Sequence, residues 1–188
     1  MNEEQRLAGL ASLAPPQRPP GQIIQTAFVV PDVIAAMPRY TSLLNAGPWF
    51  LRRRFTPGAA TYRGQPSAVQ LSLAFGYAGS MMIELIEQHD NSPSVFRDVV
   101  ALKGYGFHHY GIATKDFDRA LESYVSVGYS VGFTAQRQGR LAIIDTLGDF
   151  AGMIELLEMH PSVEAFFASM HQAAVDWDGR DPVRLLPP

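Results

Sequence analysis

The chain has 188 residues, 47% of them hydrophobic, with 15 Lys and Arg against 18 Asp and Glu for a formal net charge of -3. That is long enough for one compact domain, too apolar for disorder, and without the basic excess that general nucleic-acid binding needs. There is no cysteine, which removes disulfides, thiolate metal sites and cysteine nucleophiles and leaves any metal to oxygen and nitrogen ligands.

Residues 1–20 read either as an arm lying on the body or a partner subunit or as a disordered leader: Leu7 to Leu13 suit a short apolar turn of helix, and Pro15, Pro16, Pro19 and Pro20 forbid regular structure after it. The amino terminus carries Glu3 and Glu4 rather than the positive charge of a secretory signal, and no apolar run approaches the ~18 residues of a membrane span. A cytoplasmic protein with no membrane partner is expected. Ile23 to Val30 is a β-branched strand ended by Pro31-Asp32, and Asp32 to Leu44 carries Val33, Ala36, Met37, Tyr40 and Leu44 at helical spacing. Trp49 to Phe55 and Val69 to Phe75 are strands around a long turn holding Gly58 and Gly64, and Gly79 turns the chain into a further strand, Met81 to Glu87. Strand alternation places Trp49, Leu51, Arg53 and Phe55 on one face, and Phe50, Arg52 and Arg54 on the other.

The same order then returns, with strand Phe107 to Ala113, helix Asp116 to Val127, and strands Ser130 to Thr134, Leu141 to Thr146 and Met153 to Glu158. An offset of 84 residues takes Asp32 to Asp116, Ala36 to Ala120, Tyr40 to Tyr124 and Ser42 to Ser126. At the far end of each half, Met82-Ile83-Glu84-Leu85-Ile86-Glu87 matches Met153-Ile154-Glu155-Leu156-Leu157-Glu158 at five of six positions, now offset by 71. The chain therefore carries a duplicated β-α-β-β-β module. One module alone leaves a sheet face bare, so two are expected to combine. The predicted fold class is α+β, a curved eight-stranded sheet around a shared cleft. The expected divisions are 1–20 (arm), 21–90 (first module), 91–105 (linker), 106–160 (second module) and 161–188 (C-terminal helix and tail). Phe166, Phe167 and Met170 form that helix's apolar stripe, expected to pack on the body or on a partner in a homodimer.

Alternation also puts Glu84 between Met82 and Ile86, and Glu155 between Met153 and Leu157, on one face of their strands. A carboxylate among apolar neighbours is costly unless paired, hydrogen-bonded or bound to a cation, and here it occurs twice at matching positions. Gln25 and His109 are related by the offset of 84 on the first strand of each module. A pseudo-twofold axis would gather Gln25, Glu84, His109 and Glu155 into an open site for Zn, Ni, Co, Mn or Fe as a divalent ion. His108 points to the opposite face and is read as structural, while His89, His160 and His171 sit at element ends away from the cleft. Arg52, Arg53, Arg54 and Arg140 are read either as solvated residues or as binders of a substrate carboxylate or phosphate.

With its duplicated module, Ile24-Gln25-Thr26 leading to Val30-Pro31-Asp32, Phe107-His108-His109-Tyr110-Gly111, and the two Ile-Glu-Leu segments, the chain resembles the vicinal oxygen chelate superfamily over about residues 22–159. That superfamily includes glyoxalase I, methylmalonyl-CoA epimerase and extradiol dioxygenases. The resemblance implies metal ligands at Gln25, Glu84, His109 and Glu155, a set similar to that of eukaryotic-type glyoxalase I. It further implies an isomerase or lyase that abstracts a proton α to a carbonyl of a small carbonyl compound or acyl thioester, through a metal-stabilised enediolate. Glu155 would be the base, and Glu84 would return the proton or remain a ligand. A single His in the set counts against the two-His dioxygenase pattern, and Val29 and Tyr105 stand where the glutathione-binding arginines of glyoxalase I would fall. The alternatives on this scaffold are a protein that binds an aromatic or antibiotic ligand without turnover and a metal-dependent dioxygenase.

Overall fold

The computed structural model describes residues 2–9, 21–136 and 138–187. In chain order it contains α1 (Glu3–Gly9), β1 (Gln22–Val29), α2 (Val33–Leu44), β2 (Trp49–Phe55), β3 (Thr61–Tyr62), β4 (Gln65–Pro66), β5 (Leu71–Ala78), β6 (Met81–Gln88) and α3 (Val95–Lys103). It continues with β7 (Gly106–Thr114), α4 (Phe117–Val125), β8 (Ser130–Gln136), β9 (Arg140–Asp145), β10 (Met153–Glu158), α5 (Pro161–Ala174) and β11 (Val183–Leu185). The fold is α+β. The helix expected over residues 7–13 overlaps α1 at residues 7–9, and the rest of it, with the proline-rich part of the arm, falls outside the described residues. Among the described residues no helix is long and apolar enough to cross a membrane.

All eight expected strands join one mixed sheet, in the order β11-β2-β5-β6-β1-β7-β10-β9-β8-β3-β4. Three short strands extend it beyond eight. The duplication is visible in its hydrogen bonds. The antiparallel β1–β7 ladder pairs Gln25 with Gly111, Thr26 with Tyr110 and Ala27 with His109. The offset of 84 carries the first of these pairs onto the third and leaves Thr26–Tyr110 on itself, so the pseudo-twofold axis passes through that pair. On either side, β1 runs parallel to β6 with Gln25 opposite Met82, and β7 runs parallel to β10 with His109 opposite Met153.

Simple reach shows that the sheet is curled. Eight strand spacings separate β2 from β3 in sheet order, about 38 Å if the sheet were flat. Thr61 follows Phe55 by only six residues, about 21 Å at full extension. Even so, β3 bonds to β8, with Thr61 opposite Thr134. The hairpin of the first module thus closes against the outer strand of the second, and Arg63 fastens it with ion pairs of 2.9 Å to both Asp98 and Asp145.

Each module's helix covers the convex face, and both begin with the same cap: Asp32 Oδ1 accepts from Ala35 N, and Asp116 Oδ1 accepts from Arg119 N. Val33, Ala36 and Met37 of α2 pack on Trp49, Leu51, Ile83 and Leu85, while Phe117, Ala120 and Tyr124 of α4 pack on Ala142, Ile144 and Leu156. The concave face holds a separate cluster that includes Ala27, Val29, Ile86, Phe96, Phe133 and Ile143. Residues 91–105, expected as a linker, carry α3. Ser94 Oγ caps it by accepting from Arg97 N, and Val95, Phe96 and Val99 are buried on one side.

Two strand readings change. Expected over Val69 to Phe75, β5 instead runs from Leu71 through Gly76 to Ala78; the Trp49 ring fills the space where a side chain at Gly76 would stand. In β2 the register slips between Arg52 and Phe55, a β-bulge with Arg54 at φ 41°. The extra residue breaks strict alternation and turns Phe55 onto the concave side with Arg52, not with Trp49 and Leu51. Ser72 Oγ takes the Arg54 N–H that the bulge frees, at 3.0 Å.

At Gly76 an added Cβ would sit 2.9 Å from the Trp49 ring, which is itself buried and held by an indole N–H bond to Thr41. Gly76→Ala should therefore cost about 1–3 kcal/mol, read as a lowered urea midpoint with altered tryptophan fluorescence; an unchanged midpoint would contradict the packing described.

Candidate metal centre

The four residues singled out in the sequence meet. Gln25 of β1, Glu84 of β6, His109 of β7 and Glu155 of β10 are 2%, 5%, 1% and 6% exposed, so none is a solvated strand residue. Gln25 Nε2 donates to Glu84 Oε2 at 2.5 Å and to Glu155 Oε2 at 3.3 Å, and lies 3.3 Å from His109 Nε2. His109 Nε2 is 3.5 Å from Glu84 Oε2 and 3.2 Å from Glu155 Oε2. One ligand atom each from Glu84, His109 and Glu155 lies within 4.8 Å of the other two. These three buried residues could hold a metal ion.

The geometry follows from the register. The β1–β7 ladder at the axis places Gln25 and His109 two positions apart across the sheet, and β6 and β10 flank it symmetrically. Gly111 lies directly opposite Gln25; a Cβ there would come within 2.9 Å of the Gln25 Cβ and 3.3 Å of its Cδ. Only a residue without a side chain lets the amide lie down toward the centre.

Charge makes the cluster demanding. Burial, reinforced by the Glu155 charge, pushes the Glu84 carboxyl well above its usual range. Two carboxylates kept from water need a proton or a cation between them. The amide meets part of that need by giving its two N–H bonds to the two acids; half a turn about its last bond would offer the oxygen instead.

His108, read as structural, is buried and hydrogen-bonded to His109. Its Nε2 lies 3.2 Å from the Val95 carbonyl oxygen and its Nδ1 lies 2.8 Å from His109 Nδ1. Burial first, then His109, holds the His108 imidazole well below its usual pKa, so it is neutral. The Val95 carbonyl can only accept, so His108 carries its proton on Nε2 and accepts at Nδ1. His109 must then donate from Nδ1, which turns its Nε2 toward Glu84 and Glu155. A chain of three groups, starting at a backbone oxygen of α3, sets the tautomer in which an imidazole ligates a metal. The His-His pair was the available sequence signal, but alternation alone sent the first ring away from the second.

These residues line a cavity of about 490 Å³, together with Phe55, Phe96, Phe133 and, from α5, Phe166 and Phe167. The C-terminal helix does pack on the body through Met170 against Tyr77 and Met82; it also forms part of the cavity wall, which its apolar stripe did not distinguish. Arg140 is held by Asp118 at 2.7 Å and by Glu158 at 2.7 Å, and its hydrogen bonds draw the Glu158 carboxyl down to about 2. Arg53 and Arg54 are exposed, whereas Arg52 lines the cavity. His160 pairs with Glu158 and His171 stacks on Tyr77. His89 lies between Ser72 Oγ (2.6 Å) and Glu87 (3.1 Å). That Ser-His-Glu trio does not line the cavity, and Ser72 is 3% exposed. It ties the β2 bulge to Glu87, which in turn accepts from Val33 N at the start of α2.

A search of curated proteins finds no match. Among solved structures, the chain is similar to methylmalonyl-CoA epimerase from Mycobacterium tuberculosis, with 16% identity, a TM-score of 0.53, and coverage of 84% of this chain and 99% of that one. A hypothetical protein from Bacillus halodurans gives 17% identity and a TM-score of 0.52, covering 74% of this chain and 95% of that one. A Streptomyces coelicolor methylmalonyl-CoA epimerase variant in complex with 2-nitronate-propionyl-CoA gives 16% and 0.50, covering 73% and 96%. At these identities the likeness is one of fold. Residues 24–143, well over half of the chain, match the family described as glyoxalase/bleomycin resistance protein/dioxygenase superfamily, and the chain belongs to that superfamily.

Proposed function

We propose that the chain is a metal-dependent isomerase or lyase that removes a proton α to the carbonyl of a small carbonyl compound or acyl thioester. The observation that carries this is the buried convergence of Gln25, Glu84, His109 and Glu155 on one wall of a cavity. Gln25, Glu84, His109 and Glu155 are the proposed ligands of one divalent ion. Such an ion would supply Lewis-acid polarisation of a substrate carbonyl oxygen. An imidazole nitrogen, two carboxylate oxygens and an amide oxygen suit Zn, Ni, Co, Mn or Fe and leave room for a substrate atom.

The acid-base work falls to the carboxylates. Glu155 is the proposed base: its carboxylate lines the cavity, and its bond from Gln25 is the looser of the two, 3.3 Å against 2.5 Å for Glu84. Glu84 is the group already inclined to hold a proton, because burial and Glu155 both favour its neutral form. It can return a proton to the opposite face of the substrate or remain a ligand. His109, fixed by His108, orients the centre, and the apolar walls keep water from quenching the charge that develops on the carbonyl oxygen.

The raised Glu84 pKa sets the sign of a pH effect. In the metal-free protein its neutral form is favoured, so its stabilising contribution is present at low pH and is lost as pH rises through the folded-state pKa. A divalent ion displaces that proton, so affinity should rise with pH. Added Mn²⁺ or Zn²⁺ should raise the melting temperature at pH 7.5 and much less at pH 5, as ordinary ligand linkage requires; an equal or absent increment at both would count against the site. Glu155→Gln should slow deuterium exchange at the α carbon of an accepted carbonyl substrate by roughly 10²–10⁴-fold with the far-ultraviolet circular dichroism unchanged, and full exchange would refute its role. His108→Phe should weaken Mn²⁺ binding by about 10–100-fold in calorimetry, and wild-type affinity in a folded variant would show that the relay from Val95 is irrelevant.

A further inference from the structure

We infer that the cavity takes an uncharged carbonyl compound with a ring-sized apolar body, and that Phe75 with Phe166 and Phe167 of α5 seats the ring. This deepens the proposed function and rests on it for one point, that the reactive carbonyl faces the Glu84–His109–Glu155 centre. The first observation is where the open aromatic surface lies. Phe75 and Glu84 are partners on neighbouring strands and both line the cavity, so their Cβ atoms stand roughly 5 Å apart. Phe75, Phe166 and Phe167 pack in one cluster around Tyr77, Met82 and Met170, and Met82 is the partner of Gln25 in the β1–β6 ladder. The two α5 rings lie 5.8 Å apart between centroids, inclined at 42°. All three phenylalanines are only half-buried and line the cavity. Phe96 and Phe133 differ: they are 4% and 2% exposed and pack edge-on against each other at 5.6 Å. The accessible aromatic surface is therefore beside the acids, and a ring seated there holds its carbonyl within a bond or two of the centre. The cavity, about 490 Å³, is within the range of sites that enclose whole ring-bearing ligands. A two- or three-carbon carbonyl compound would leave most of that surface without a partner.

The second observation is the state of the charges. Among the described lining residues the cations are Arg52 and Arg140, and each is engaged within the protein. Arg140 spans Asp118 and Glu158 with four side-chain hydrogen bonds of 2.7–3.2 Å. The Arg52 guanidinium has a partner of its own and lies over the Phe55 ring, 5.2 Å from the centroid, on the side away from Glu84. At the centre the charges are those of two carboxylates, Glu84 and Glu155, and His109 presents a lone pair to them. A divalent ion there would only balance the two acids. Nothing in the wall is left over to match a carboxylate or phosphate on the substrate, and an anion taken out of water without a partner binds poorly. Aromatic walls, engaged arginines and paired acids thus select the same molecule, a neutral one with a ring close to its carbonyl group.

The test compares three ketones on the full chain by calorimetry: para-methylacetophenone, para-acetylbenzoate, which carries a carboxylate in place of the ring methyl, and butanone, which lacks the ring. The protein is chelator-treated, so that no probe carboxylate ligates an ion, and Mn²⁺ uptake is titrated separately. Para-methylacetophenone should bind at least about tenfold more tightly than butanone, the scale of burying the carbons of a ring. It should also bind at least about tenfold more tightly than para-acetylbenzoate, whose charge finds no partner. The double variant Phe166→Ala/Phe167→Ala should lose at least about fivefold of the ring preference with its far-ultraviolet circular dichroism unchanged. Phe166→Leu/Phe167→Leu, which keeps apolar bulk without a ring, should lose a smaller part and serves if the alanine variant does not fold. Equal binding of para-methylacetophenone and butanone, para-acetylbenzoate bound as tightly as its neutral analogue, or a ring preference untouched in the folded α5 variants would overturn the inference. The ring preference together with no Mn²⁺ uptake would retain the seat and defeat the metal centre alone. Mn²⁺ uptake without a ring preference would defeat the seat and leave the metal centre standing.

Discussion

Two carboxylates are buried face to face, and the rest of the site answers to that fact. With ligand atoms within 4.8 Å, two full negative charges repel by roughly 3 kcal/mol even at an effective dielectric of about 20, before the loss of hydration is counted. A fold keeps such a pair only where something offsets it. Here the Gln25 amide, carried on β1, donates to both acids, while the His109 Nε2 facing both presents a lone pair and adds to the need for a cation. The duplicated register brings them together, Gly111 makes room for the amide, and His108 fixes the imidazole. A divalent cation would satisfy all four groups at once, which neither a proton nor a water molecule can do.

The same symmetry that assembles the centre leaves the cavity around it asymmetric. The two modules contribute equivalent buried side chains to the centre, but part of the wall comes from features that differ between the halves. The β2 bulge turns Phe55 and Arg52 inward together, α3 supplies Phe96 between the modules, and α5 brings Phe166 and Phe167 from beyond the second module. The methylmalonyl-CoA epimerases of similar fold have only 16% of their residues in common with this chain, so the likeness is one of fold.

The repeated layer was legible in the sequence for physical reasons. Strands alternate with a period of two and helices start at capping residues, so Asp32, Asp116 and the two Met-Ile-Glu-Leu segments marked equivalent points in space. Once Gln25 and His109 fell on the same offset, the convergence of four side chains followed from the symmetry of a β1–β7 ladder. What alternation could not show was where it breaks. The bulge at Arg53 and Arg54 leaves no hydrophobic signature, because an arginine suits either face, and Phe55 was assigned to the wrong side in consequence. The α3 helix is only nine residues long; its cap at Ser94 and the spacing of Val95, Phe96 and Val99 were present but sat in a segment taken as a connection. The bond from His108 to His109 links neighbours on opposite strand faces, a contact that depends on ring orientation and not on spacing.

The central claim is that one divalent ion sits among these four side chains with an imidazole nitrogen bound. The most direct measurement is electron spin echo spectroscopy of the full chain titrated with Mn²⁺. One bound ion per chain showing coupling to a single imidazole nitrogen, lost in His109→Ala, is the expected result. Binding without any nitrogen coupling, or coupling that survives in His109→Ala, would contradict it.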